Sequence, residues 1–186
     1  VGAQQLEEFR HQIRKIQQQA EDLTQGLTEA QFNWRPAPDQ WSIEECLAHM
    51  TIVGQWEVRA IEQAVEQGHA RGLTGSGPFH YGPIERFIVD ASGVGPDGRP
   101  RRRFPAPRRF VPVHGQPLTA VVPTFQHLQR QLGIQLDRAE GLDLARVKVT
   151  TPISRLLKLS LGMMFAQIVA HEQRHIAQAR RVHEKL

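Results

Sequence analysis

Four stretches of this chain repeat apolar residues at alternating three- and four-residue intervals, a period that commits most of its length to amphipathic α-helix. The last stretch is the most constraining. Read at helical spacing, one face runs Leu157, Leu161, Met164, Ile168, His171, His175, Ala179 and Val182, the seam of a helix packed into a core. Two histidines hold places where that seam asks for Leu or Ile. Being four apart, their imidazoles leave the helix on the same side, one turn from each other. Unpartnered imidazoles are costly to bury. The pair therefore needs hydrogen-bond partners, or a divalent metal held in a bundle core.

The first helix is carried by Leu6, Phe9, Ile13, Ile16, Ala20, Leu23 and Leu27 and is expected to end near Gly26. Ser42 followed by Glu45 has capping-box spacing, so a second helix begins at about Ile43 and runs to about Gln67, stopping at Gly68. Its main stripe is Ile43, Leu47, Met50, Gly54, Val58, Ile61 and Val65. His49 stands on a flanking stripe with Cys46, Val53, Trp56 and Ala60, at the edge of the buried face. A third helix runs from about Leu118 to Ala139, with Pro123 in its first turns and Gly141 to stop it. The fourth begins at Ile153 or later, after the β-prone run from Val147 to Thr151, and continues to about His183. Trp34 and Trp41 are expected to cover one end of the core.

These elements describe an all-α chain. The expected fold is a single four-helix-bundle domain over 1–186, with a long irregular crossover between helices 2 and 3 at about 68–116. Glycine and proline recur in that crossover, and Ile84–Ala91 suggests a short helical piece. Phe79, Tyr81, Phe104 and Phe110 are expected to pack part of it onto the bundle. Connections of this length are usually functional or disordered.

Net charge is +4, but six of the 23 basic side chains (Arg99, Arg101, Arg102, Arg103, Arg108 and Arg109) crowd into this crossover, leaving 17 against 19 acidic ones. The basicity belongs to one loop, which argues against nucleic acid as a partner. The loop arginines suit either solvent or the carboxylates of a ligand. The single cysteine, Cys46, excludes an internal disulfide and fits a reducing cytoplasm. No secretory leader is expected, and the longest apolar run, Leu156 to Ala170, is broken by Lys158, Ser160 and Gln167, too short and polar for a bilayer. A homodimer is compatible with the chain, though no sequence feature demands one.

Nine histidines in 186 positions give roughly 0.4 pairs at four-residue spacing by chance, so spacing alone leaves metal ligands and hydrogen-bonded core histidines both open. The joint placement of His171 and His175 on one seam and His49 on the buried side of another helix brings a three-histidine metal site level with that alternative. His171-Glu172-Gln173-Arg174-His175 also spells an H-E-x-x-H string, in which Glu172 is the candidate base. The protease context is wrong: eleven residues follow His175, and Gln178 and Arg181 stand where a metzincin carries Gly and His. Glu172 lies one residue off the seam, and a solvated glutamate is the simpler expectation. Glu45 suits the capping box better than an orienting bond to His49, Gln178 could support His175, and Cys46 reads as a small buried apolar group. His80 and His114 are the crossover histidines able to approach the site.

Trp41-Ser42-Ile43-Glu44-Glu45-Cys46-Leu47-Ala48-His49-Met50 resembles the W-S-x-x-E-x-L-x-H-L signature of helix 2 in the DinB/YfiT-like superfamily. The segment from Ile168 to Gln178 resembles that superfamily's final helix, and Gly141–Arg146 with Thr151-Pro152 is similar to the connection before it. The resemblance implies a four-helix bundle in which His49, His171 and His175 hold a divalent metal, often zinc or nickel. It further implies either thiol S-transfer, with a low-molecular-weight thiol as cosubstrate, or metal-dependent hydrolysis. A non-catalytic metal- or ligand-binding bundle, or a dimerisation module, is the alternative. The long crossover departs from shorter members and leaves the substrate pocket unmatched.

Overall fold

Ser42 Oγ accepts from Glu45 N at 3.1 Å while Glu45 Oε2 accepts from Ser42 N at 3.0 Å, and this reciprocal pair starts the longest helix at Ile43. The computed structural model describes residues 2–80, 82–95, 97, 99–102, 105–151 and 157–186. Among these it is mostly helical: α1 (Gly2–Thr24), α2 (Glu29–Phe32), α3 (Ile43–Ala70), α4 (Pro83–Ser92), α5 (Leu118–Arg138) and α6 (Leu161–His183). Two short antiparallel strands, β1 (Lys148–Thr150) and β2 (Lys158–Ser160), pair with Val149 opposite Leu159. A 3-10 turn occupies Arg108–Phe110.

The four long helices pack in a closed circuit, in which α3 lies against α5 and α6, and α1 lies against the same two. The expected stripes are the faces buried between them: Leu6, Ile13 and Ile16 from α1, Leu47, Ile61 and Val65 from α3, Phe125, Leu132 and Leu136 from α5, Leu161, Met164 and Ile168 from α6. Each such burial contributes roughly 1.5–3 kcal/mol before chain entropy is set against it.

The structure moves two boundaries. α3 passes Gly68 and ends at Ala70, and the chain turns at Gly72 with φ +60°. Gly68 serves close packing instead: a Cβ there would stand 2.9 Å from Val147 Cγ2 and 3.3 Å from Leu142. Leu157 belongs to no helix and is exposed, because the segment before α6 pairs as β2 and Ser160 Oγ caps the first turn through Met163 N. A three-residue strand is too short for its period to outweigh the apparent helical step from 157 to 161. Helix starts within 152–156 fall outside the described residues. The expected crossover contains the ordered helix α4, packed on α6.

Phe79 and Phe110 are buried as expected; Tyr81, Phe104 and Arg103 lie outside the described residues. Gln5 holds the Phe79 backbone from both sides, donating to its carbonyl at 2.8 Å and accepting from its N–H at 2.7 Å. Farther on, Glu44 accepts from Gly115 N and Gln116 Nε2. The Phe79 ring lies so close to Gly162 that a Cβ there would come within 2.6 Å of Cδ1 and 2.9 Å of Cε1. Gly162→Ala is therefore expected to lower stability by about 1–3 kcal/mol, since the ring as a whole must move. A shift of the urea midpoint with unchanged slope checks this.

Candidate metal centre

α3 and α6 bring three imidazoles together. His49, in the second turn of α3, places Nε2 3.3 Å from His171 Nε2, which lies 3.2 Å from His175 Nε2. All the potential ligand atoms lie within 4.8 Å of one another. His49 and His175 are buried; His171 is partly exposed.

The 3-10 turn sets the chemistry of His49. Its Nδ1 lies 2.8 Å from the Phe110 carbonyl oxygen, which can only accept, so Nδ1 carries the proton and Nε2 presents a lone pair to the cluster. One side of the cluster is roofed by Trp41, whose ring stacks on His175 with centroids 5.7 Å apart and lies tilted at 4.8 Å from His49. His175 Nδ1 is buried without a hydrogen-bond partner among the described residues.

Burial depresses the proton affinity of all three rings. His171 is pushed down to about 3, by burial first and then by the neighbouring His49 and Arg174 charges. His175 is held well below the usual range by burial, then by His171 and His49. Burial also lowers His49, against the opposing hydrogen bond to Phe110. Neutral imidazoles converging through Nε2 are the donor state a divalent ion requires. A proton on His171 Nε2 could serve only one of its two close contacts, whereas a cation would satisfy all three lone pairs. The residues fit a divalent metal.

Glu172 departs from expectation. It is not a solvated side chain: it is buried, accepts from Gln129 Nε2 of α5 at 2.9 Å through Oε1, and leaves Oε2 without a partner among the described residues. Burial pushes its carboxyl up to about 7. Glu57 of α3, which the sequence reading did not single out, is buried as well and pushed up to about 8, by burial and then by the Glu172 charge. The helical period places Glu172 one step beyond the seam, but the buried arc of α6 is wide enough to include it together with His175 and Ile176.

Glu45 completes the capping box and pairs with Arg35 through both of its oxygens, so His49 draws its orienting bond from Phe110 instead. Cys46 is fully buried, and burial raises its thiol far above the usual range. Of the crossover histidines, His114 stands near Glu44 and Glu45 and His80 is exposed. Arg99, Arg101, Arg102, Arg108 and Arg109 are all exposed. Gln178 favours a proton on His175, as the weakest of the influences on that ring. The Phe110 carbonyl could not have been found from sequence, since every residue has one. No helix among the described residues is long and apolar enough to cross a membrane.

Comparison with known proteins leads to the same helices. No curated protein matches the chain, and no solved structure does. A family model described as the DinB superfamily matches residues 12–179, a span that takes in His49, His171 and His175. That match covers most of the chain, which therefore belongs to the DinB superfamily.

Proposed function

We propose that this chain is a DinB-type four-helix bundle that uses a divalent metal, zinc or nickel, held by His49, His171 and His175, to act on a small molecule by thiol transfer or hydrolysis. The observation that carries the reading is the convergence of three neutral imidazoles through Nε2, with His49 locked in the metal-ready tautomer by Phe110. An ion held by these three residues would leave room for a further ligand and would lower the pKa of a thiol or water brought to it. The chain supplies the rest. Trp41 excludes water from one side of the rings, and Phe110 orients His49. Glu172, bonded to Gln129, supports the site from within the core and is assigned no proton-transfer role.

Elemental analysis of purified protein tests the centre: about one divalent ion per chain is expected, and its loss in His171→Ala. Failure to take up zinc, nickel or cobalt would overturn it. Incubating metal-loaded protein with glutathione, bacillithiol or mycothiol and an electrophile then separates the chemistries. Metal-dependent conjugation supports transfer, its absence with metal-dependent ester cleavage supports hydrolysis, and neither activity would leave a non-catalytic binding bundle.

A further inference from the structure

His171, Arg174, His175 and Gln178 follow one another along α6 at steps of three, one and three residues, a single face of the helix. Arg174 is half-buried there, yet among the described residues it makes no ion pair and no hydrogen bond. Other arginines of this chain do otherwise. Arg10 meets Glu7, Asp137 and Glu140; Arg35 meets Glu45; Arg138 meets Glu62 and Glu66. Taking a guanidinium partly out of water without a partner is unfavourable. The place of Arg174, three residues after His171 and one before His175, puts it on the flank of the helix face that carries both rings.

The charge balance of the centre is one-sided. Three neutral imidazoles leave a divalent ion uncompensated, Arg174 adds a further positive charge, and the neighbouring carboxylate, Glu172, is turned to Gln129. We propose that Arg174 is the anion-recognition residue of this centre, pairing with the carboxylate of a small-molecule ligand whose other end reaches the three histidines. The proposal rests on the metal reading above. A planar guanidinium fork matches a carboxylate through two parallel N–H···O bonds. A single guanidinium matches its single charge, and the start of α6 at Leu161 lies roughly three and a half turns away, too far to add helix-terminal donors for a phosphate.

The test uses cobalt(II)-loaded protein, with cobalt content measured first and the visible spectrum then titrated with mercaptoacetate and with 2-mercaptoethanol. These probes share a thiol and a chain length and differ in carboxylate against hydroxyl. Wild type is expected to bind mercaptoacetate about tenfold or more tightly. Arg174→Gln should lose that preference with cobalt content and 2-mercaptoethanol affinity unchanged, and Arg174→Lys, which keeps the charge without the fork, should retain part of it. No preference in wild type overturns the proposal. So does a preference that survives undiminished in cobalt-loaded Arg174→Gln, which would trace it to the carboxylate coordinating cobalt itself. Should Arg174→Gln lose cobalt, a preference in Arg174→Lys equal to wild type overturns it equally. Wild type that takes up no cobalt removes the metal centre and this proposal together, an outcome distinguished by the cobalt measurement alone.

Discussion

A divalent metal supplied at about 1,000 times its dissociation constant is expected to raise the free energy of unfolding by about 4 kcal/mol, and that of His175→Ala by close to nothing. The stabilisation arises because the folded chain alone brings His49, His171 and His175 together across 122 and four residues of sequence separation. The unfolded chain has no such constellation, so the binding free energy appears as folding free energy. Each protein is compared with its own metal-free form, which removes the cost of the cavity left by the missing ring. The measurement is chemical denaturation with and without metal; an equal shift in His175→Ala would mean that the ion binds elsewhere.

The same rings set a direction with pH. Their folded proton affinities lie below the unfolded value near 6.5, with His171 at about 3. Between those limits the unfolded state binds more protons, so their contribution to stability is present above pH 6.5 and is lost as pH falls toward 3.

The second large effect runs the other way. Glu57→Gln is expected to raise stability at pH 9 by on the order of 4 kcal/mol relative to wild type, with little difference near pH 4. The folded Glu57 carboxyl is pushed up to about 8, from an ordinary value of 4.5, by burial and then by Glu172. The folded state therefore binds the extra proton between pH 4.5 and 8, and wild type loses stability as pH rises through that window. The charge acting on it is that of Glu172 from α6, itself held at about 7 and bonded by Gln129 from α5. A neutral amide of the same shape never has to be ionised inside the core. Urea denaturation at pH 5, 7 and 9 reads the difference, and parallel curves for the two proteins would show that Glu57 ionises freely.

Much of this architecture is legible in residue order because helical periodicity and capping are local. Ser42 and Glu45 announce the start of α3 within four residues, and the stripes of α1, α3 and α5 are buried where their spacing says. The hairpin is less legible, since β2 has three residues and exists through its pairing with β1. Gly68 looked like a helix stop for the same reason: a glycine that admits Val147 and one that ends a helix are identical in sequence.

The candidate centre divides along the same line. His171 and His175 face one way by the period of a single helix, and His49 lies on the buried side of another, so the residue types and their faces follow from sequence. That their Nε2 atoms meet within a few ångströms depends on how α3 crosses α6. The proton on His49 depends on a carbonyl 61 residues away, and the unpaired charge of Arg174 depends on no carboxylate among the described residues folding back to it. The burial of Glu172 escapes a helical wheel, which measures angle from a seam and not the width of the core that surrounds it. Periodicity and capping are interactions between near neighbours and can be read along the chain. Convergence, burial and unmet charge are relations between distant segments, and they acquire values only when the helices pack.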